Sequence, residues 1–170
     1  NTKIDEIIIQ KIDEIIIQAR EKRNKYMVQT PAQYQFIFKC MSITVPQDYE
    51  TKFRELKRKG GCTTPIICKG KNRYSDMLAC ESSKVELKSG ECINANWLTK
   101  VKGCKVIATQ GPKENTVRDF WEMVVQEKVS HIIMVANYME NGKSKCYEYL
   151  PEVGKPIENI NKENITIKNS

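Results

Sequence analysis

The feature that most constrains the fold is a helical pattern of apolar residues placed between two short apolar runs. The runs occupy residues 106–109 and 132–136, and their length and composition predict two buried strands. Between them, five residues follow the i, i+3, i+4, i+7, i+8 spacing of one helix face: Val117, Phe120, Trp121, Val124 and Val125. A helix that alternates with strands favours a layered α/β fold, with the apolar helix face covering a sheet.

A second helix is predicted from its start signals. Thr30 is a good N-cap, Pro31 suits the first helical position and Gln33 completes a capping box. We expect this helix to end near Met41.

A third helix should follow the break at Pro46. Asp48 can cap it, Phe53 and Leu56 fall on one face, and the glycine pair that begins at Gly60 ends it.

Strand signals are strongest near the C-terminal end. The pair Asn141-Gly142 is typical of a hairpin turn and predicts a following strand near residues 145–149, and Ile165 and Ile167 alternate in a last short strand. Together these elements predict an α/β fold with a mixed, twisted sheet flanked by helices.

The N-terminus repeats one octapeptide without change. The sequence Lys-Ile-Asp-Glu-Ile-Ile-Ile-Gln fills residues 3–10 and again 11–18. Eight residues advance a helix by about 80° beyond two full turns, so the apolar stripe drifts around the axis. We expect one lengthened helix whose additional apolar face is poorly used.

Charge and length limit the function classes. The 170 residues suit one domain or a piece of one, and the net charge of +7 fits either an anionic partner or a solvated basic surface. The basic run at residues 54–59 has no interleaved aromatic residues for base stacking, so no nucleic acid partner is predicted. No apolar run reaches 18 residues and no signal sequence is evident, which predicts no membrane span and a cytoplasmic location.

The seven cysteines predict neither disulfides nor a metal site. Their odd number without a signal sequence argues against a disulfide scaffold, and we expect most to be small buried hydrophobic residues. His131 is the single histidine and no CxxC pair occurs, so we expect no zinc, no other metal and no cofactor.

Several segments resemble one enzyme family. Residues 71–76 read K-N-R-Y-S-D, residues 93–96 read I-N-A-N, and residues 109–123 carry T-Q-G-P, N-T and D-F-W-x-M. Residues 139–151 resemble M-E-x-G-x-x-K-C-x-x-Y-W-P, with Leu150 at the position of the tryptophan. In this order they resemble the N-terminal half of a classical protein tyrosine phosphatase domain, over about residues 69–167. The resemblance implies a partial phosphatase fold and a phosphotyrosine protein or peptide as partner.

Another segment resembles the family out of order. Residues 27–37, Met-Val-Gln-Thr-Pro-Ala-Gln-Tyr-Gln-Phe-Ile, are similar to the Q-loop, which the family places near the C-terminal end of the domain. We therefore predict a helical segment over residues 1–48 and an N-terminal half-domain over 49–170. A junction of tandem domains, a rearranged gene and a faulty gene model all fit this order, which is weakly similar to insect and polydnavirus phosphatases.

The resemblance assigns substrate contacts to two residues. Tyr74 would stack on the phosphotyrosine ring and Asp76 would bond to the peptide backbone. The alternative for Tyr74 is that the ring only packs within the protein.

Four further residues would be accessory to catalysis. By resemblance, Gln29, with Gln33 beside it, positions the hydrolytic water, Glu140 orients a catalytic arginine, and Lys145 meets the acid loop. The alternatives are that Gln33 only closes its capping box, and that Glu140 and Lys145 form an exposed cross-strand pair.

The reacting groups themselves are missing from these 170 residues. The family's reaction needs a cysteine nucleophile in H-C-x5-R and an acid in W-P-D. The residues six positions after the seven cysteines are Pro46, Cys68, Tyr74, Glu86, Leu98, Gln110 and Glu152. Neither Trp97 nor Trp121 is followed by Pro-Asp.

We therefore predict that this chain does not hydrolyse phosphotyrosine. The alternatives are a fragment of an active phosphatase, an inactive homologue that binds phosphopeptides or a partner, and a remnant without function. A half-domain would expose sheet edges and core surface, so we expect marginal stability, a second chain that covers this surface, or misfolding.

Overall fold

The computed structural model describes residues 2–23, 27–42, 44–56, 59–101, 104–150, 157–160 and 163–165. It divides into two compact units. The first unit comprises residues 1–67, 74–84 and 95–108, and the second comprises 68–73, 85–94 and 109–170. The boundary predicted between residues 48 and 49 stays a prediction, and Ile167 lies outside the described residues.

The duplicated octapeptide forms one continuous helix, α1 (Thr2–Lys22), as predicted. Ile12 and Ile16 are buried at 4% exposure, whereas Ile7 and Ile15, equivalent positions in the two copies, are more than half exposed. The unequal burial follows from the helical period, because consecutive isoleucines point about 100° apart and one face of α1 packs on the core while the other faces solvent. No helix among the described residues is long and apolar enough to cross a membrane.

Two short helices complete the core of the first unit. They are α2 (Pro31–Cys40) and α3 (Tyr49–Leu56), and both confirm the predicted positions. The core residues are contributed by all three helices: Ile12, Ile16, Tyr34, Phe38, Phe53 and Leu56. The rings of Tyr34 and Phe38, one turn apart on α2, meet edge to face at 5.1 Å, and the Tyr34 hydroxyl donates to Asp13 on α1 at 2.7 Å.

The strands of the first unit are short. They are β1 (Pro65–Ile66), β2 (Ala79–Cys80), β3 (Ala95–Val101) and β4 (Cys104–Thr109), whose last residue falls in the second unit. β1 pairs antiparallel with β2, and β3 pairs with β4. Asn96 is fully buried on β3, and its side-chain amide bonds both the N–H and the carbonyl of Cys80. A buried amide satisfied on both sides fixes the backbone that it contacts.

The second unit is built around α4 (Val117–Gln126), which confirms the predicted amphipathic helix. Phe120, Trp121 and Met123 are buried, and the indole N–H of Trp121 donates to the Tyr149 carbonyl at 3.0 Å. The rings of Phe120 and Tyr149 lie 4.8 Å apart, edge to face. Aromatic contacts of this geometry add to the free energy gained from burial alone.

The predicted hairpin at Asn141-Gly142 exists but its second strand begins earlier than expected. β5 (Met139–Glu140) pairs antiparallel with β6 (Lys143–Ser144), and β7 (Ile157–Ile160) pairs antiparallel with β8 (Glu163–Ile165). Both turn residues have positive φ, 50° and 71°, as the type I′ geometry of a two-residue loop requires. That tight turn pairs Glu140 with Lys143, so the strand predicted over residues 145–149 was wrong.

The buried strand predicted over residues 132–136 was also wrong. This segment has no strand assignment, and Ile132, Ile133, Met134 and Val135 are between 38% and 94% exposed. A strand needs a neighbour to bond its backbone, and the described residues provide none for this run. The α/β class is confirmed, with helices and four two-stranded sheets among the described residues.

The cysteine prediction needs correction. Among the residues that the structure describes, two disulfides form, Cys62–Cys80 in the first unit and Cys68–Cys92 in the second, with Cα atoms 5.6 and 5.4 Å apart. Cys40 is free and exposed, and Cys146 is free and buried. Pairing depends on which residues the fold brings within about 6 Å of each other, and sequence spacing does not reveal that distance.

Candidate functional site

The phosphotyrosine-recognition-like segment begins with a turn that is well anchored in the second unit. The N–H groups of Lys71 and Asn72 both donate to the Cys68 carbonyl, at 2.9 and 3.2 Å. The side chain of Asn94 donates to the Asn72 side chain at 3.0 Å, and Gln110 donates to the Lys71 carbonyl at 2.8 Å. A segment without regular structure therefore has its polar backbone groups bonded by side chains.

Lys71 forms two ion pairs. Its ammonium lies 2.6 Å from Glu91 and 2.8 Å from Asp119 of α4, whose carboxylate is 9% exposed. Burial opposes the charge of Lys71, but the bonds to Asp119 and Glu91 outweigh it and raise the pKa of Lys71. The same contact with Lys71 lowers the pKa of Glu91. These pairs hold the turn against the helix that carries the D-F-W motif.

Arg73 ties the segment to the T-Q-G-P motif. Its guanidinium donates to the carbonyls of Gly111 (3.2 and 3.3 Å), Pro112 (2.7 Å) and Ser144 (3.2 Å). Its backbone N–H donates to the Gln110 side chain at 2.9 Å. No role for Arg73 was predicted from the sequence. The available signal was an arginine within an irregular stretch, where a five-donor side chain can bond several loop carbonyls.

The glycine of the T-Q-G-P motif is required by a close approach. A Cβ atom at Gly111 would lie 2.8 Å from the Lys145 carbonyl oxygen and 3.1 Å from the Cys146 sulfur. No side chain fits at that separation, so the backbone of the motif packs directly on the chain that follows the hairpin.

Tyr74 and Asp76 follow this anchored turn and belong to the first unit. The side chain of Tyr74 is 43% exposed and Asp76 is also exposed. The tyrosine ring is therefore not a core residue, and both side chains can reach a ligand in solution. Their assigned contacts with a phosphotyrosine peptide stay a prediction.

Gln29 and Gln33 lie at the start of α2, also in the first unit. The side-chain amide oxygen of Gln33 accepts from the N–H groups of Gln29 (2.6 Å) and Thr30 (3.2 Å), and the Thr30 hydroxyl accepts from the Gln33 N–H. This confirms the predicted capping box. The side-chain oxygen of Gln33 is engaged in the cap, whereas the Gln29 side chain is exposed.

The backbone before Gln29 is strained and is held by a buried arginine. Val28 has φ of 57°, a left-handed conformation that β-branched residues rarely adopt. Arg20, only 1% exposed, donates to the carbonyls of Met27 and Val28 at 2.9 Å and also bonds the Leu56 and Lys59 carbonyls. Burial lowers the pKa of Arg20. This anchor was missed because its partners are backbone atoms, which no sequence pattern identifies.

Glu140 and Lys145 lie on and after the hairpin of the second unit. The Glu140 carboxylate accepts from the Asn137 N–H at 3.1 Å, and the Lys145 N–H donates to the Tyr138 carbonyl at 2.9 Å. The cross-strand pairing considered for these two residues is wrong, since the register places Glu140 opposite Lys143.

The titration of Cys146 does not suit a nucleophile. Burial raises the pKa of the Cys146 thiol, and the nearby charge of Arg73 only partly opposes that effect. Attack on a phosphate ester needs a thiolate, which a raised pKa disfavours. No group of three or more His, Cys, Asp or Glu side chains that could hold a metal occurs in the part of the chain that the structure describes.

Comparisons with known proteins identify relatives for about half of the chain. The human receptor-type tyrosine-protein phosphatase eta is 43% identical over 89 residues, which are 49% of this chain and 7% of that protein. The human tyrosine-protein phosphatase non-receptor type 20 is 42% identical over 94 residues, which are 52% of this chain and 22% of the relative. A solved structure from work on the PTPN18 fingerprint on distinct HER2 tyrosine phosphorylation sites is 35% identical, with a TM-score of 0.48, and covers 52% of this chain and 34% of that one.

The matched region is a part of a longer family domain. The chain spans between 6% and 24% of the length of the six curated relatives compared with it. A family model described as protein-tyrosine phosphatase matches residues 68–170, which include the anchored turn, α4 and the hairpin. The chain therefore belongs to the protein-tyrosine phosphatase family.

Proposed function

We propose that these 170 residues carry family scaffold and recognition elements but do not hydrolyse phosphotyrosine on their own. The observation that carries this proposal is the absence of arginine six positions after any of the seven cysteines. Without a cysteine in that loop, no cysteinyl-phosphate can form, and accessory residues cannot replace the missing nucleophile. The raised pKa of Cys146 supports the same conclusion for the buried free thiol.

Phosphate release from a phosphotyrosine peptide tests this proposal directly. The purified chain should release phosphate no faster than buffer alone, over a range of peptide concentrations. Release that saturates with peptide and disappears after replacing one cysteine by serine would overturn it. The Cys146→Ser and Cys40→Ser variants form a suitable pair, because one removes a buried thiol and the other an exposed thiol.

A second candidate function is recognition of a phosphotyrosine peptide without hydrolysis. The supporting observation is the exposure of Tyr74 and Asp76 directly after Arg73, whose guanidinium fixes the preceding turn. An exposed aromatic ring beside a rigid turn can stack on a ligand ring without ordering a mobile loop first. The net charge of +7 favours an anionic ligand.

Binding of a fluorescently labelled phosphotyrosine peptide, followed by anisotropy, tests this second function. Tyr74→Ala should weaken binding about fivefold or more, because a ring–ring contact contributes roughly 1 kcal/mol. Tyr147→Ala is the matched control, since Tyr147 has the same 43% exposure and lies outside the recognition-like segment. Equal weakening in both variants, or no weakening in either, would reject the role of Tyr74.

A further inference from the structure

The two disulfides enclose overlapping stretches of the chain. Cys62–Cys80 joins two residues of the first unit, and Cys68–Cys92 joins two residues of the second unit. Residues 69–79 lie inside both loops. This stretch includes Arg73, Tyr74 and Asp76, so the recognition-like segment has a covalent tie at each end.

Non-covalent support for the first tie is small. The ladder of β1 and β2 consists of two residue pairs, Pro65 with Cys80 and Ile66 with Ala79. A two-stranded pair of this size is marginal by itself in water. Ile67, which follows β1, is 75% exposed and contributes little packing. Beside the ladder, the Glu81 N–H donates to the Thr64 carbonyl at 2.9 Å, and Asn96 of β3 bonds the Cys80 backbone. The bond from Cys62 to Cys80 adds a covalent tie to this short ladder and its one neighbouring backbone bond.

The second tie has more polar support. Glu91, adjacent to Cys92, bonds Lys71 at 2.6 Å, and the Cys68 carbonyl accepts two backbone N–H groups of the turn. Breaking this disulfide alone leaves those bonds in place. We therefore expect the Cys62–Cys80 bond to control opening of the stretch more strongly than the Cys68–Cys92 bond.

We propose that the two disulfides form a redox-reversible clamp on residues 69–79, closed when oxidised and open when reduced. A dithiol reductant opens each bond by thiol–disulfide exchange. The S–S bond breaks, its two sulfurs gain two electrons and two protons and become thiols, and the dithiol loses the same number and closes to its own disulfide. Such bonds persist in oxidising compartments and are transient in the cytosol, so the state of the clamp follows its surroundings.

This clamp does not depend on the phosphopeptide binding proposed above. It concerns only how firmly the stretch is held. Lys69, Lys71 and Arg73 provide trypsin sites within the stretch, so its opening can be measured without any ligand.

Limited trypsin digestion with and without dithiothreitol tests the proposal. Reduction should accelerate cleavage after Lys69, Lys71 or Arg73 at least tenfold, with cleavage after Arg118 in α4 unchanged. Equal rates in the two conditions would overturn the clamp. Equal acceleration at Arg118 would also overturn it, because the bonds would then stabilise the whole protein and not this stretch.

The pairing of the cysteines can be measured separately from the opening of the stretch. After a cut at Arg73, Cys62 and Cys68 lie on one fragment and Cys80 and Cys92 on the other. The fragments should therefore stay joined on a non-reducing gel and separate on a reducing gel. Alkylation of the oxidised protein should leave these four cysteines unlabelled in mass spectrometry, while Cys40 is labelled. Label on any of the four, or fragments that separate without reductant, would overturn the pairing.

Variants that lack one disulfide each distinguish the contributions of the two bonds. The double variant Cys62→Ser with Cys80→Ser should show fast cleavage without reductant, and Cys68→Ser with Cys92→Ser should show a smaller acceleration. Cys40→Ser, which removes an exposed free thiol, should leave the rate unchanged. If a double variant does not fold, digestion of the unaltered chain with and without dithiothreitol still decides the proposal.

Discussion

Helix α4 and the run at residues 132–135 lie in the same unit and are both rich in apolar residues, yet their burial is opposite. Trp121 on α4 is 2% exposed, whereas Val135 is 94% exposed and Ile133 is 84% exposed. Apolar composition alone therefore does not determine burial in this unit.

The difference lies in where each element finds its hydrogen bonds. A helix satisfies its own backbone, so α4 needs only a surface for its apolar face, and Tyr149 and Phe120 provide ring contacts around Trp121. A strand needs the backbone of a neighbour before its side chains can pack. Within the described residues, the run at 132–135 takes part in no strand pairing.

Truncation of the buried indole should produce the largest effect. Trp121→Ala should lower the free energy of unfolding by about 3–5 kcal/mol, because it leaves a cavity and removes the bond to the Tyr149 carbonyl. Denaturant titration measures the change. The matched control Val135→Ala should stay within about 0.5 kcal/mol, as for an exposed side chain. Comparable losses in the two variants would show that Val135 is packed, which would contradict the opposite burial of α4 and the run at residues 132–135.

Loss of the ion pair on α4 should come next. Lys71→Met leaves the Asp119 carboxylate, 9% exposed, without its 2.8 Å partner. Removing one member of a buried pair costs several kcal/mol, and since Lys71 is 20% exposed we expect about 2 kcal/mol. Lys11→Met is the control, because the Lys11–Glu14 pair is 2.9 Å long but exposed and should cost under ~0.5 kcal/mol. A loss no larger than that of the control would mean that the ion pair does not stabilise α4.

Local features of this chain were predictable and long-range ones were not. The capping box of Thr30 and Gln33 and the apolar face of α4 depend on residues within one or two helical turns, and both were predicted correctly. The Cys62–Cys80 and Cys68–Cys92 pairs were missed because they join residues 18 and 24 positions apart, brought together by tertiary structure.

In the candidate site, too, local features were predictable and long-range contacts were not. Motifs located Tyr74 and Asp76 in the sequence, but the support from Arg73 depends on the carbonyls of Gly111, Pro112 and Ser144, which are 38 to 71 positions away. The hairpin turn at Asn141-Gly142 was predicted at the right position, but the strand after it was placed too late, because the two-residue turn pairs Glu140 with Lys143.

The pH dependence of the unfolding free energy tests whether the charged form of Lys71 stabilises the protein. The pKa of Lys71 is raised above its usual 10.5, because bonds to Asp119 and Glu91 outweigh burial. A raised pKa on a cation means that its stabilisation is complete below 10.5 and is lost as the pH rises through the folded value. The difference in unfolding free energy between the unaltered chain and Lys71→Met should stay constant from about pH 7 to 10 and shrink above that. A difference that grows at high pH would contradict the sign of this linkage.

Lysine substitutions in the exposed run at residues 132–135 should have the smallest effect on stability. They should still have a measurable effect on the association of the chain with other copies. Four consecutive exposed apolar residues of high strand propensity present a surface on which copies of the chain can pair, and lysine on such an edge opposes pairing. Ile133→Lys with Val135→Lys should leave the unfolding free energy within about 0.5 kcal/mol. The same change should slow the growth of light scattering at high protein concentration by several-fold. Glu148→Lys, a change at an exposed residue that also raises the net charge by two, controls for charge alone. Unchanged scattering would mean that this run is not the associating surface, and the second chain expected to cover apolar surface would then have to bind elsewhere.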